Sequence, residues 1–72
     1  MQMKLTLNAE TNRIIRGISI QDIEDTIVKG IKINKEDSII ATKDNLVVVF
    51  VNSDLNKIVK MVSTKWYAQL VK

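Results

Sequence analysis

One short stretch places the strongest limit on what this chain can fold into. Residues Leu46 to Val51 are all apolar, and four of them are valine. Valine is β-branched and favours strands. A strand that is apolar on both faces belongs in the centre of a sheet, or has its second face covered by a helix or another subunit. The chain is therefore expected to build a sheet around this segment.

The clearest helix lies earlier, between Ser19 and Gly30. Ser19 followed three residues later by Asp22 predicts an N-cap with a short acidic capping box. Apolar side chains then recur at helical spacing at Ile20, Ile23, Ile27 and Val28. Gly30 is predicted to end this helix as a left-handed C-cap.

The remaining pattern predicts one strand and one helix before Ser19, and several strands after Gly30. Apolar and polar residues alternate from Met1 to Leu7, and Asn8 is expected to end that strand and cap a short helix from Ala9 to Arg16. Strands are predicted at Ile31–Ile33, Ser38–Lys43, Leu46–Val51 and Lys57–Ser63, with the last placing Ile58 and Val62 on one face and Val59 and Met61 on the other. Residues 66–71 fit either a continued strand or a short helix. The predicted fold class is α+β: an N-terminal strand, two helices, then an antiparallel β-meander of three to four strands.

Composition bounds the chemistry. The 72 residues suit a single domain, and the chain contains no cysteine and no histidine. A thiolate or histidine metal site and a Ser/His or Cys/His nucleophile pair are therefore excluded. The acids Asp22, Glu24 and Asp25 are interpreted as helix residues favoured by the dipole, and the two separated glycines form no phosphate loop. No metal and no cofactor is expected.

Location and assembly follow from similar reasoning. The chain opens with no signal-like segment and has no apolar run of the ~20 residues that a membrane span needs, so the expectation is a cytoplasmic protein with no membrane partner. A chain this small gains stability by burying an edge strand or an apolar face, so a homodimer is expected.

The basic residues offer a candidate site, since the net charge is +3. Arg13 and Arg16 lie three apart and would share a helical face, a spacing that can hold a phosphate. The aromatic residues Trp66 and Tyr67 could stack unpaired bases of RNA. The candidate nucleic-acid-binding residues are Arg13, Arg16, Lys57, Lys60, Lys65 and Trp66. The alternative is that the lysines are solvated edge residues and Trp66 is part of the core.

A family resemblance points the same way. The segment from Asn8 to Ser19, with Arg16-Gly17-Ile18-Ser19 leading into the next helix and Gly30 after it, resembles a small uncharacterised prokaryotic domain family. That family is placed with the RelE and BrnT type toxin ribonucleases and their barnase-like relatives. The resemblance covers roughly residues 3–66. It implies a RelE-like fold, an RNA-interacting, toxin-like domain with endoribonuclease activity, and an antitoxin-like protein partner.

The chain also departs from the family pattern. Asn8 stands where the family has a histidine, and Asn12 stands where it often has an arginine, whereas Arg16 matches. The resemblance implies that Arg16 and Tyr67 would then be the catalytic residues, stabilising the scissile phosphate and transferring a proton. The second hypothesis is a non-catalytic interaction module, a homodimer or a partner-binding protein, that has lost the family's active site.

Overall fold

The computed structural model describes residues 2–64 and contains five strands and two helices in an α+β arrangement. The N-terminal strand β1 is followed by the two helices α1 and α2, and then by the strands β2, β3, β4 and β5. Their bounds are β1 Gln2–Leu5, α1 Leu7–Arg16, α2 Ile20–Lys29, β2 Ile31–Lys35, β3 Ser38–Lys43, β4 Leu46–Ser53 and β5 Asn56–Thr64.

The strands form a single sheet in the order β1-β5-β4-β3-β2, so β4 lies at its centre. Strands β2 to β5 are antiparallel neighbours, as the meander prediction requires. The first strand differs from the prediction, because β1 pairs in parallel with β5 and makes the sheet mixed. The chain can return to a parallel edge because α1, α2 and the meander together provide a long crossover connection.

Helix α1 begins earlier than predicted, because Thr6 and not Asn8 is its N-cap. The Thr6 hydroxyl accepts a hydrogen bond from the backbone N–H of Ala9 at 3.2 Å. The strand β1 correspondingly stops at Leu5 and does not reach Leu7. Gly17 ends α1 in the left-handed conformation, with φ 66°, and the Ile18 N–H donates to the carbonyl of Arg13 at 2.8 Å.

Helix α2 starts as predicted but ends differently. The Ser19 hydroxyl accepts from the N–H of Asp22 at 3.0 Å. Gly30 has an extended backbone, φ −71°, so the prediction of a left-handed C-cap there is wrong. A side chain is excluded at Gly30 for another reason, since a Cβ would meet the backbone oxygens of Thr26 and Thr42. Gly30 therefore allows α2 to approach β3 closely.

A β-bulge interrupts the pairing of β4 with β5. Phe50 lies opposite Val59 and Val49 lies opposite Met61, so Lys60 is the extra residue on β5. The bulge changes which residues share a face. Val59 and Val62 are both buried, whereas the strict alternation predicted from the sequence placed them on opposite faces.

Both helices cover the same face of the sheet, which we call the helix face. Helix α1 packs on β5 and β1, and α2 packs on β3 and β4. The core lies between these layers and consists of Ala9, Ile18, Ile23, Ile27, Ala41, Val48, Phe50, Val59 and Val62. We call the opposite side of the sheet the outer face. Across residues 2–64, neither helix has the length and apolar character that crossing a bilayer demands.

Candidate functional site

Arg13 serves the fold through its side chain. Its guanidinium forms an ion pair of 2.6 Å with Glu10 and donates a hydrogen bond of 3.4 Å to the carbonyl of Ile18. Only about a quarter of the side chain is exposed. Arg13 therefore connects the end of α1 with the turn that leads into α2. A phosphate that bound to Arg13 would compete with these contacts.

Arg16 occupies the last position of α1 and is half-buried. The helical spacing places it one turn after Arg13, as predicted. Cations near the C-terminus of a helix interact favourably with its dipole. The charge of Arg16 therefore lies where it stabilises the end of α1.

The two described lysines of the candidate set lie on opposite faces of the sheet. Lys57 is half-buried at one end of the helix face, where its ammonium donates to Asn52 Oδ1 at 2.5 Å and lies 5.3 Å from the centre of the Phe50 ring. Lys60 is exposed at the bulge, next to the exposed Met61, and the buried Val59 and Val62 flank this pair. Lys60 therefore faces outward, away from both arginines.

The other candidates, Lys65, Trp66 and Tyr67, lie outside the described residues. Within residues 2–64, the structure brings Arg13 and Arg16 together on one helix and does not bring Lys57 and Lys60 to one surface. The four described members of the predicted set thus occupy three separate places.

A cleft of about 230 Å³ lies between α2 and the β3–β4 turn. It is lined by Asp22, Asp25, Thr26, Lys43, Asp44, Asn45 and Leu46. Asp25 accepts from Lys43 at 3.0 Å and from Lys29 at 3.3 Å, and Lys43 also contacts Asp44 at 3.2 Å.

These ion pairs keep the Asp25 carboxylate and the Lys43 ammonium in their charged forms. The hydrogen bond from Lys43, and then that from Lys29, lowers the pKa of the Asp25 carboxyl. The hydrogen bonds to Asp25 and Asp44 raise the pKa of the Lys43 ammonium. Both shifts favour the charged forms at neutral pH, whereas a general acid or base works best with a pKa near the operating pH. No group of residues between 2 and 64 is arranged to hold a metal ion. The charged groups of Asp25, Lys43 and Asp44 in the cleft are paired with one another.

The outer face of the sheet is the largest unassigned feature of the described chain. The register and the alternation of side chains place eight aliphatic residues on it: Ile31, Ile33, Ile40, Val47, Val49, Val51, Ile58 and Met61. Ile31 and Ile33, on the edge strand β2, are 74% and 58% exposed, and the valines of β4 are half-buried. Within residues 2–64 neither helix covers this face. The second face of β4 is thus apolar, as predicted.

The charged side chains that residues 2–64 place on the outer face have a single sign. Lys4, Lys35 and Lys60 project from β1, β2 and β5 on this side. No strand residue is acidic, because all eight Asp and Glu residues lie in the helices and turns. Sequence reasoning singled out Lys60 but missed Lys4 and Lys35. The absence of acids from every predicted strand was the available signal.

Helix α1 carries a second, smaller apolar surface. Leu7, Ile14 and Ile15 are exposed, whereas Ala9 and the half-buried Asn12 and Arg13 face the protein. The helix therefore turns its aliphatic side chains outward. These three residues lie on one helix, whereas the eight aliphatic residues of the outer face are spread over four strands.

The comparisons with known proteins add no relative to this description. The chain gives no significant match to a protein-family model, to a curated protein or to a solved structure. The RelE-like resemblance therefore stays a prediction, and the surfaces described above are the basis for assigning a function.

Proposed function

We propose that this chain is a non-catalytic interaction module that binds another protein chain through the outer face of its sheet. The proposal rests on one observation: a central strand, β4, whose valines reach the outer face without a covering layer within residues 2–64. The partner is a second copy of the chain or a different protein.

The size of the face supports this function. Five strands spaced about 4.8 Å apart span about 19 Å, and the eight residues of β4 extend about 27 Å. Contiguous apolar patches of several hundred Å² on small soluble proteins mark interaction sites. The aliphatic residues of the outer face lie within this span, and Lys4 and Lys35 lie on its two edge strands.

The placement of the cations favours this function over the ribonuclease. Phosphoryl chemistry on RNA without a metal or histidine needs several cations around one phosphate. Arg13 is already bonded to Glu10 and Ile18, and Lys60 lies on the other side of the sheet. The RNA-interacting, toxin-like endoribonuclease, with Arg16 and Tyr67 as catalytic residues, stays a prediction. An RNA cleavage assay tests it.

Two aliphatic residues provide a matched pair of test variants. Val49→Gln places a neutral amide at the centre of the outer face, and Ile15→Gln makes the corresponding change on the exposed side of α1. Affinity purification from the cells that express the chain detects association with other proteins. Sedimentation equilibrium of the pure chain measures its association with itself. We expect Val49→Gln to lose the associated chain and Ile15→Gln to retain it.

A second variant guards against a folding defect in Val49→Gln. Ile33→Gln changes an outer-face residue on an edge strand that is already 58% exposed, so its effect on folding should be small. Association that is indifferent to both outer-face variants would contradict the proposed function. Cleavage of RNA by the wild-type chain, abolished in Arg16→Ala, would contradict it as well.

A further inference from the structure

We propose that the outer face binds an acidic, amphipathic polypeptide segment, with aliphatic side chains on one side and carboxylates along its margins. This inference rests on the proposed function and names the chemistry of the partner. It is carried by the difference between the lysines of the outer face and all the other lysines in the described part of the chain.

Within residues 2–64, every lysine away from the outer face has a partner. Lys29 and Lys43 pair with Asp25, Lys32 donates to the carbonyl of Gly30 at 3.0 Å, and Lys57 donates to Asn52. The protein therefore uses these ammonium groups within its own fold.

The three outer-face lysines behave differently. Within residues 2–64, Lys4, Lys35 and Lys60 form no ion pair and no side-chain hydrogen bond. Residues 65–72 include no Asp or Glu side chain that could pair with them. Three cations that have no partner among residues 2–64, placed around an aliphatic centre, complement a ligand whose margins are negative and whose middle is apolar.

The make-up of the described part of the outer face favours a polypeptide over RNA. Proteins that bind single-stranded RNA use aromatic side chains as stacking platforms. The only aromatic residue in the described chain, Phe50, is 1% exposed and lies in the core on the helix face. The outer face offers isoleucine and valine side chains instead, and these pack well against the aliphatic side chains of another polypeptide.

Charge also disfavours a second copy in face-to-face packing. Such a dimer would bring six lysines to one interface without a carboxylate from either outer face. Like charges across an interface are costly unless they stay in solvent. An acidic partner removes this cost, so it is the better occupant.

The test uses synthetic helical peptides of about four turns. One has leucine on one side and glutamate on the other, and a second replaces every glutamate by lysine. Fluorescence anisotropy with the whole chain measures their dissociation constants, and an oligouridine RNA of similar length is the nucleic-acid probe. We expect the glutamate peptide to bind at least about tenfold more tightly than the lysine peptide, and less tightly as salt rises.

Substitutions locate the binding. Lys60→Ala should weaken binding of the glutamate peptide about two- to fivefold, whereas Lys29→Ala, with the same loss of charge on α2, should leave it unchanged. Val49→Gln should weaken it further, and Ile15→Gln should not. Thermal unfolding of each variant shows that a change in affinity is not a change in folding.

The outcomes separate this inference from the proposed function. Equal or tighter binding of the lysine peptide, lost in Val49→Gln, overturns the acidic partner and keeps the outer face as a binding surface. A dimer of the chain that Val49→Gln dissociates likewise overturns the acidic partner and keeps the outer face as a binding surface, with a second copy as the occupant. Binding of oligouridine that depends on Lys60, without peptide binding, overturns both. A chain that binds none of these probes overturns the inference, and the association measurements then decide the function.

Discussion

The hydroxyl of Thr6 donates a hydrogen bond of 3.3 Å to the backbone carbonyl of Lys60, the extra residue in the bulge of β5. The same hydroxyl oxygen accepts from the N–H of Ala9. Asn8 also donates to the Lys60 carbonyl, through its side-chain amide at 3.3 Å. The start of α1 and the bulge are therefore stabilised by the same few polar atoms.

Replacing Thr6 should weaken both features at once. Thr6→Val keeps the shape of the side chain and removes the N-cap oxygen and the donor to Lys60. We expect a loss of about 1–2 kcal/mol in the free energy of unfolding, measured by urea denaturation. Thr6→Ser retains the hydroxyl and should lose much less. A Thr6→Val variant as stable as the wild type would show that neither bond contributes.

The two glycines should respond differently to alanine. In Gly30→Ala the new methyl group meets backbone oxygens, 2.7 Å from that of Thr42, and the backbone cannot move away without opening the contact between α2 and β3. We expect a loss of about 3 kcal/mol. At Gly17 the space is open, and only the left-handed φ of 66° is strained, so Gly17→Ala should cost about 1 kcal/mol.

The same denaturation measurement tests this order. Gly17→Asn provides a control, because asparagine tolerates the left-handed conformation better than alanine does. It should be the mildest of the three variants. If Gly30→Ala lost less unfolding free energy than Gly17→Ala, the two elements α2 and β3 would not be as close at Gly30 as the structure has them.

The ion pairs of Asp25 predict how stability depends on pH. The pKa of Asp25 is lowered from 3.8 in the folded state, so its contribution is fully present above that value and is lost as the pH falls through the folded pKa. The pKa of Lys43 is raised from 10.5, so its contribution is present below that value and is lost as the pH rises through the folded pKa. Stability should therefore fall at both extremes.

Lys43→Met isolates this effect. The variant removes the hydrogen bond from Lys43, which is the main reason that the pKa of Asp25 is lowered. The fall in the unfolding free energy on the acid side should therefore become shallower, and the alkaline fall should diminish. Urea denaturation across the pH range measures both slopes. Lys35→Met, which removes an unpaired lysine from the outer face, is the matched control and should leave both slopes as in the wild type.

Arg13 tests the structural role assigned to a predicted RNA contact. Arg13→Met keeps the aliphatic part of the side chain and removes the bonds to Glu10 and Ile18. We expect a loss of about 1 kcal/mol in the free energy of unfolding, because a part-buried charge-assisted hydrogen bond disappears. An unchanged unfolding free energy, together with weakened binding to RNA, would return Arg13 to the phosphate-binding role.

Local patterns in the sequence predicted the local structure well. The cap at Ser19, the helix around Ile23 and Ile27 and the apolar strand around Val48 depend on neighbouring residues, and the structure confirms each one. The errors arose where a distant contact decides. Alternation continued through Thr6 to Leu7, but Thr6 leaves the strand, because its hydroxyl donates to the carbonyl of Lys60, 54 positions away, and also caps α1.

The candidate site illustrates the same limit. The second apolar face of β4 is visible in residues 46–51, so an interaction surface was predictable. The grouping of Lys4 with Lys60 was not, because it depends on the parallel pairing of β1 with β5 and on the bulge between Val59 and Met61. Both features depend on a strand register that spans most of the chain.

That parallel pairing also determines the order in which the molecule can be completed. Thr6 and Lys60 are 54 positions apart in sequence, so β1 remains without a neighbour until the last described strand has been synthesised. Closing so long a loop costs entropy before any contact compensates for it. A nascent chain that ends after β4 lacks β5, the strand on which α1 mainly packs, and leaves the inner side of α1 without a partner. The protein should therefore gain much of its stability in a late step of translation.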